Sequence, residues 1–409
     1  MSQVVEAARV PWRISSDTHV VEPPDLFASR MSARYREYAP RLEFVDGVEM
    51  WVADEKPGLP AFVASRAGDR FEPAESRPRR AMPSTYSGAT FADDVRPGGY
   101  DPDIWLKDNY TDGVFGGVVF ASLTMIFYRM VPQTEVLNDI LRAYNDWVLD
   151  FCSYDPDRIK PMTMLNLDDI DWAITEMTRT RGRGSAGAIV PVRDLHSYDS
   201  ERYERFWSAA EDLGLPLAMH VATERTNQPF HFTHGGKQPH IQGQYTPPEM
   251  LNVPDMAMRT TLAEMTMSGV FARHPRLKLV SVEHEASWLP YFMERMDWHY
   301  QYNLRTSDHG YRYPDGALPS DYIRRNVMMS FTEDTPLMRL RDLIGVDRLM
   351  WGSDYPHAES TFPRSEALLA ATFGGVPAEE QALMVRGNCA RFYGFDAAAI
   401  AKKAAALGA

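Results

Sequence analysis

Eight short apolar runs, each ending in polar or turn residues and separated by stretches of helical periodicity, constrain this chain more than any other feature. They lie at residues 12–16, 114–121, 159–165, 186–191, 215–221, 277–283, 327–331 and 348–353. Helical patterns fall between them at 135–154, 170–179, 201–213, 257–273 and 287–302, with Gly214 placed to end the third of these. Strands that alternate with helices imply parallel pairing, because a parallel pair needs a long crossover. Eight such units predict an α/β chain folded as a closed (β/α)8 TIM barrel, whose chemistry gathers at the carboxyl ends of the strands.

A barrel with insertions accommodates 409 residues as one domain, so residues 1–409 read as a single unit. Two stretches depart from the repeat. Residues 41–100 form an insertion after the first strand, opening with a hairpin over 42–53 about Asp46 and Gly47. Residues 224–254 form a long polar loop after the fifth strand, with the composition of a lid. An Ala-rich helix is expected over 396–409.

The 43 basic and 56 acidic side chains leave a net charge of −13, which disfavours nucleic acid and anionic membranes as partners. Cys152 and Cys389 are far apart and lack metal-type spacing, which fits a reducing cytoplasm. The first residues do not read as a secretory signal, and no run approaches the ~20 apolar residues of a membrane span.

Polar residues at four strand ends supply the parts of a metal site: Asp17 and His19, His220, and Asp354, with His284 nearby in the order of strands. Asp17 and His19 are two apart on an extended segment, so their side chains point the same way. Imidazole with carboxylate suits zinc, manganese or iron. Each residue also has an ordinary reading. Asp17 fits a turn cap, His220 a hydrogen-bonded core histidine, Asp354 a turn before Tyr355-Pro356, and His284 a surface histidine between Glu283 and Glu285. Their shared placement on strands one, five, six and eight favours the site. His231, His234 and His240 in the long loop read as solvated, and Glu22 reads either as a residue orienting a ligand or as part of the next helix.

The segments SDTHVVEP, SGVFARHPRLKLVSVEHEASWLPYFMERMD, GVDRLMWGSDYPH and RGNCARFYGF resemble the amidohydrolase superfamily, in the branch of amidohydrolase-related and aminocarboxymuconate-semialdehyde-decarboxylase-like proteins. The resemblance runs from the first strand to about residue 395 and leaves out the insertion. It implies metal ligands at Asp17, His19, His220 and Asp354, with His284 and Asp354 as catalytic groups. The fourth strand closes as AGAIVPVRD, without the lysine that a binuclear site would want, so one divalent ion is expected, zinc ahead of manganese or iron.

The reading placed first is a metal-dependent hydrolase of a small aromatic or unsaturated acid. The alternative is a metal-dependent non-oxidative decarboxylase, and a third is a catalytically inactive binding barrel. Arg193 and Arg225 are the expected partners of a substrate carboxylate, with Phe127, Tyr128 and Arg129 nearby. Relatives in this branch often form homodimers, and the resemblance extends that expectation to this chain.

Overall fold

The computed structural model describes residues 11–45, 47–71, 88–225, 247–307 and 310–408. Eleven strands occur among them. Eight make one parallel sheet: β1 (Arg13–His19), β5 (Val114–Phe120), β6 (Ile159–Met164), β7 (Gly187–Val190), β8 (Leu217–His220), β9 (Leu279–Val282), β10 (Val327–Phe331) and β11 (Leu349–Trp351), neighbouring one another in that order. All eight are fully buried but for Lys160, as the continuous Val, Ile and Met content of strands covered on both faces requires. Thr18 bridges Tyr355 in parallel, and His19 N–H donates to Tyr355 O at 2.6 Å, bringing the ends of the sheet together into a (β/α)8 barrel.

The eight runs read from the sequence coincide with these strands to within a few residues. The first strand extends further than expected, through Asp17 to His19, because the chain stays paired with Val119 and Phe120. The helix Glu204–Leu213 ends at Gly214, whose φ of 59° supplies the left-handed turn.

The inserted segment carries the expected hairpin, β2 (Arg41–Val45) against β3 (Val48–Ala53), with Gly47 at φ 81° in the turn; Asp46 lies outside the described residues. A third antiparallel strand, β4 (Lys56–Pro60), follows the Asp54-Glu55 turn. It escaped the sequence reading because KPGLP has neither alternation nor strand-forming residues. The loop expected over 224–254 is partly helical, since the helix Pro247–Met267 begins inside it. The rest of that loop, with His231, His234 and His240, lies outside the described residues. No helix among the described residues is long and apolar enough to cross a membrane.

Candidate metal centre

Asp17 and His19 share one face of β1 and point into the barrel rim, where the ends of β8 and β11 also arrive. His19 Nε2 lies 3.3 Å from Asp17 Oδ1 and 3.3 Å from Asp354 Oδ1, and His220 Nε2 lies 3.6 Å from Asp17 Oδ1. The rings of His19 and His220 meet edge to face at 5.0 Å. All four side chains are at most 1% exposed.

The hydrogen bonds around these groups fix what faces inward. His19 Nδ1 lies 2.7 Å from Ala121 O, and His220 Nδ1 lies 3.0 Å from Val221 O. A carbonyl oxygen only accepts, so each Nδ1 carries the proton and each Nε2 presents a lone pair when the ring is neutral. Burial pushes the pKa of His19 down to about 3, so that ring is neutral. His19 Nε2, His220 Nε2 and both oxygens of Asp17 and of Asp354 are buried and make no hydrogen bond among the described residues. Two lone pairs and two carboxylates gathered around His19 repel one another unless a cation lies between them, and imidazole nitrogen with carboxylate oxygen is a donor set for a divalent metal. The residues present fit such an ion.

Burial, then Glu359 and Asp17, push the Asp354 carboxyl well above the usual range; burial, then Asp354, do the same to Glu283. A divalent cation in their midst reverses that balance. Asp354 is also held in left-handed backbone at φ 58°, as are Ala222 (68°), Glu283 (62°) and Glu285 (51°), so strained backbone collects at the exits of β8, β9 and β11.

Three residues enter that sequence reasoning did not assign. Glu283, noted only as a neighbour of His284, has its carboxylate 3.5 Å from His220 Nδ1 and groups with Asp17, His19 and His220 as a fourth candidate ligand. His357 stacks on His19 at 3.9 Å between ring centres, contacts Asp354 Oδ1 through Nδ1 at 2.9 Å and meets Ser122 Oγ through Nε2 at 2.8 Å. The DYPH spacing was its signal. Glu359 approaches Glu283 and Asp354 from the solvent side. His284 is 4% exposed, with Nδ1 at 3.1 Å from Ser281 Oγ and Nε2 buried without a partner among the described residues.

The proposed substrate arginines have other occupations. Arg225 spends every donor inside the protein: Nε and Nη2 on Asp168, Nη1 on the carbonyls of Tyr128 and Val131, and Nη2 again on Pro132 O. Arg193 pairs with Glu264 at 2.6 Å. Phe127 and Tyr128 are wholly buried, Tyr128 donating to Leu165 O, and Arg129 reaches Ala222 O. Position after a strand brought these residues to the rim in sequence, but short helices and local acids turned them into the wall. Glu22 accepts from Leu123 N–H, Thr124 N–H and Thr124 Oγ1–H, so it fastens the loop after β5.

Comparison with known proteins agrees with this geometry. Residues 129–395 match the amidohydrolase family model, about two thirds of the chain. The gamma-resorcylate decarboxylase of Rhizobium sp. (strain MTP-10005) is 26% identical over 249 residues, covering 58% of this chain and 72% of that protein. Among solved structures, an amidohydrolase from Mycobacterium avium subsp. paratuberculosis superposes with a TM-score of 0.74 at 20% identity, over 94% of this chain and 100% of that one. The 5-carboxyvanillate decarboxylase of Novosphingobium aromaticivorans, complexed with manganese and 4-hydroxy-3-methoxy-5-nitrobenzoic acid, superposes with a TM-score of 0.63 at 16% identity, over 96% and 99% of the two chains. The eight-stranded barrel, the convergent donors at its rim and the matched sequence lead to one assignment: the chain belongs to the amidohydrolase family.

Proposed function

We propose that this enzyme is a non-oxidative decarboxylase of a small hydroxylated aromatic acid, which binds at one divalent ion held by Asp17, His19, His220 and Asp354, with Glu283 grouped beside the first three and Asp354 beside His19. This places the alternative reading ahead of hydrolysis. The observation that carries it is the set of buried donor atoms without partners, combined with a relative at 26% identity that is a decarboxylase. Manganese is preferred to zinc, because carboxylates are half of the four proposed donors, Glu283 adds another nearby, and the 5-carboxyvanillate decarboxylase holds manganese. The barrel and its inserted segment act as one domain in this reading.

When bound, the ion supplies Lewis-acid polarisation of substrate oxygens. The remaining work falls to the protein. Asp354 or His284 delivers a proton to the ring carbon that bears the carboxylate; the bond from that carbon to the carboxyl carbon then breaks, carbon dioxide leaves, and water restores the acid. His357, stacked on His19 and held by Ser122, keeps Asp354 in place. Leu123, Met125 and Ile126 give the cavity an apolar side suited to an aromatic ring.

The test is to incubate the metal-loaded enzyme with 2,6-dihydroxybenzoate and 5-carboxyvanillate while recording carbon dioxide and the decarboxylated phenol. One gas molecule per phenol is expected. Hydrolytic products from esters, amides or ring-cleavage acids, without gas from either carboxylate, would return the assignment to hydrolysis.

A further inference from the structure

The helix Leu289–Thr306 buries Leu289, Met293, Met296 and Tyr300 on the face it turns to the barrel. Its outer face carries Tyr291, Arg295, Trp298, Tyr302 and Arg305, spaced alternately four and three residues apart, which is the spacing of a seam along which a second helix packs. Tyr291 is 69% exposed, Trp298 49% and Tyr302 51%. With Leu304 they are four of the eleven large hydrophobic side chains exposed among the described residues, so such side chains gather on this helix instead of scattering singly. The face is also ordered within itself. Trp298 and Tyr302 stack at 5.3 Å with their planes 8° apart, and the Arg295 guanidinium lies 4.7 Å over the Trp298 ring. Tryptophan, tyrosine and arginine are the residue types in which protein interfaces concentrate their binding energy.

Charge decides what covers such a face. A parallel pairing with a second copy sets Arg295 on Arg295 and Arg305 on Arg305, which repel. An antiparallel pairing about a two-fold axis that passes between Met296 and Asp297 removes both clashes. Arg295 then meets the copy's Trp298, Tyr291 meets its Tyr302, and Arg305 meets its Trp288, a half-buried ring at the start of the helix. On the flank Glu294 meets Gln301. Each arginine of the seam therefore lies opposite an aromatic ring, and the two-fold axis makes every contact twice. The neighbouring antiparallel register, with Trp298 on Tyr302, brings Arg295 against Arg305 and is disfavoured. The face supplies its own complement in one register.

We propose that the outer face of the helix Leu289–Thr306 is a homodimer interface, in which two copies pack this helix antiparallel about a two-fold axis with the Arg295 and Trp298 contacts at its centre.

Sedimentation of the full chain at micromolar concentration tests this on the parent, Trp298→Arg, the double variant Arg295→Glu with Trp298→Arg, and Phe44→Arg. Phe44, 63% exposed on the inserted hairpin, is the control. The parent is expected to run as a dimer. Trp298→Arg sets arginine against arginine and should weaken association about a hundredfold or more, while Phe44→Arg matches the parent. In the proposed register the double variant puts an acid opposite the new arginine, so association should return to within about tenfold of the parent. All changes are confined to surface side chains, and an unfolding midpoint equal to the parent's separates loss of the dimer from loss of the fold. A monomeric parent overturns the proposal and leaves the face to another partner. A dimer that survives Trp298→Arg overturns it as well, as does a loss shared by Phe44→Arg. A double variant that stays monomeric removes the antiparallel register and the proposal with it.

Discussion

Asp354 meets several constraints at once: its backbone is left-handed at φ 58°, its N–H donates to Asp17 O at 3.0 Å, and its carboxylate faces His19 at 3.3 Å and His357 at 2.9 Å. A residue so placed acts both on a metal and on a substrate, so it is a poor probe of either role alone. Two neighbours separate them. His220→Ala removes one imidazole from the donor set, and metal content is expected to fall below about 0.2 ion per chain by elemental analysis. His284→Asn leaves that set intact, so it should retain its metal while kcat drops on the order of 10²–10⁴-fold, the usual worth of a general acid. Loss of metal in the second variant, or full occupancy in the first, would reverse the roles given to them.

At the scale of elements, closure of the barrel depends on a close approach of β1 and the residue after β11. A Cβ added at Gly352 would sit 2.5 Å from Asp17 Cβ and 3.1 Å from its backbone nitrogen. Neither can yield without moving a proposed ligand. Gly352→Ala is therefore expected to cost about 1–3 kcal/mol in denaturant unfolding and to weaken metal binding together with it. The opposite end of the barrel carries a different device. Asp112, at the turn into β5, accepts from Ser365 N–H at 3.0 Å and from Ser365 Oγ, tying that turn to the helix Ser365–Thr372. Burial raises its pKa to about 6 from 3.8, so folding takes up a proton between those values. The stability from this group is present below pH about 4 and is lost as pH rises to about 6. Asp112→Asn should gain on the parent across that window, on the order of 3 kcal/mol, when the two pH profiles of unfolding are subtracted. Parallel profiles would mean the carboxyl titrates normally.

For the whole molecule, a cation among buried carboxylates is linked to folding, since the unfolded chain has no such site. Chelation should lower the midpoint of thermal unfolding, and manganese at a hundred times its Kd should restore about 2.7 kcal/mol. An unchanged midpoint on stripping would argue that the donors do not hold an ion. The eight-stranded order and the rim position of Asp17, His19, His220 and Asp354 were legible in the chain, because strand periodicity and strand-end placement are local properties. Glu283 reads in the chain only as a neighbour of His284. Its turn toward His220 comes from a positive φ that no glycine announces.

Local chemistry by itself determined the alternation of strands and helices, and with it the barrel and the rim on which ligating residues would gather. Tertiary structure decided which charged groups face the cavity. Arg225 was claimed by Asp168 and three carbonyls, while Arg70, in a segment whose third strand carried no pattern to read, was brought across the rim to Glu333, 263 residues away. The physical reason is range: hydrogen-bonding period is set by adjacent residues, whereas the partner of a guanidinium is set by whatever the completed fold places beside it.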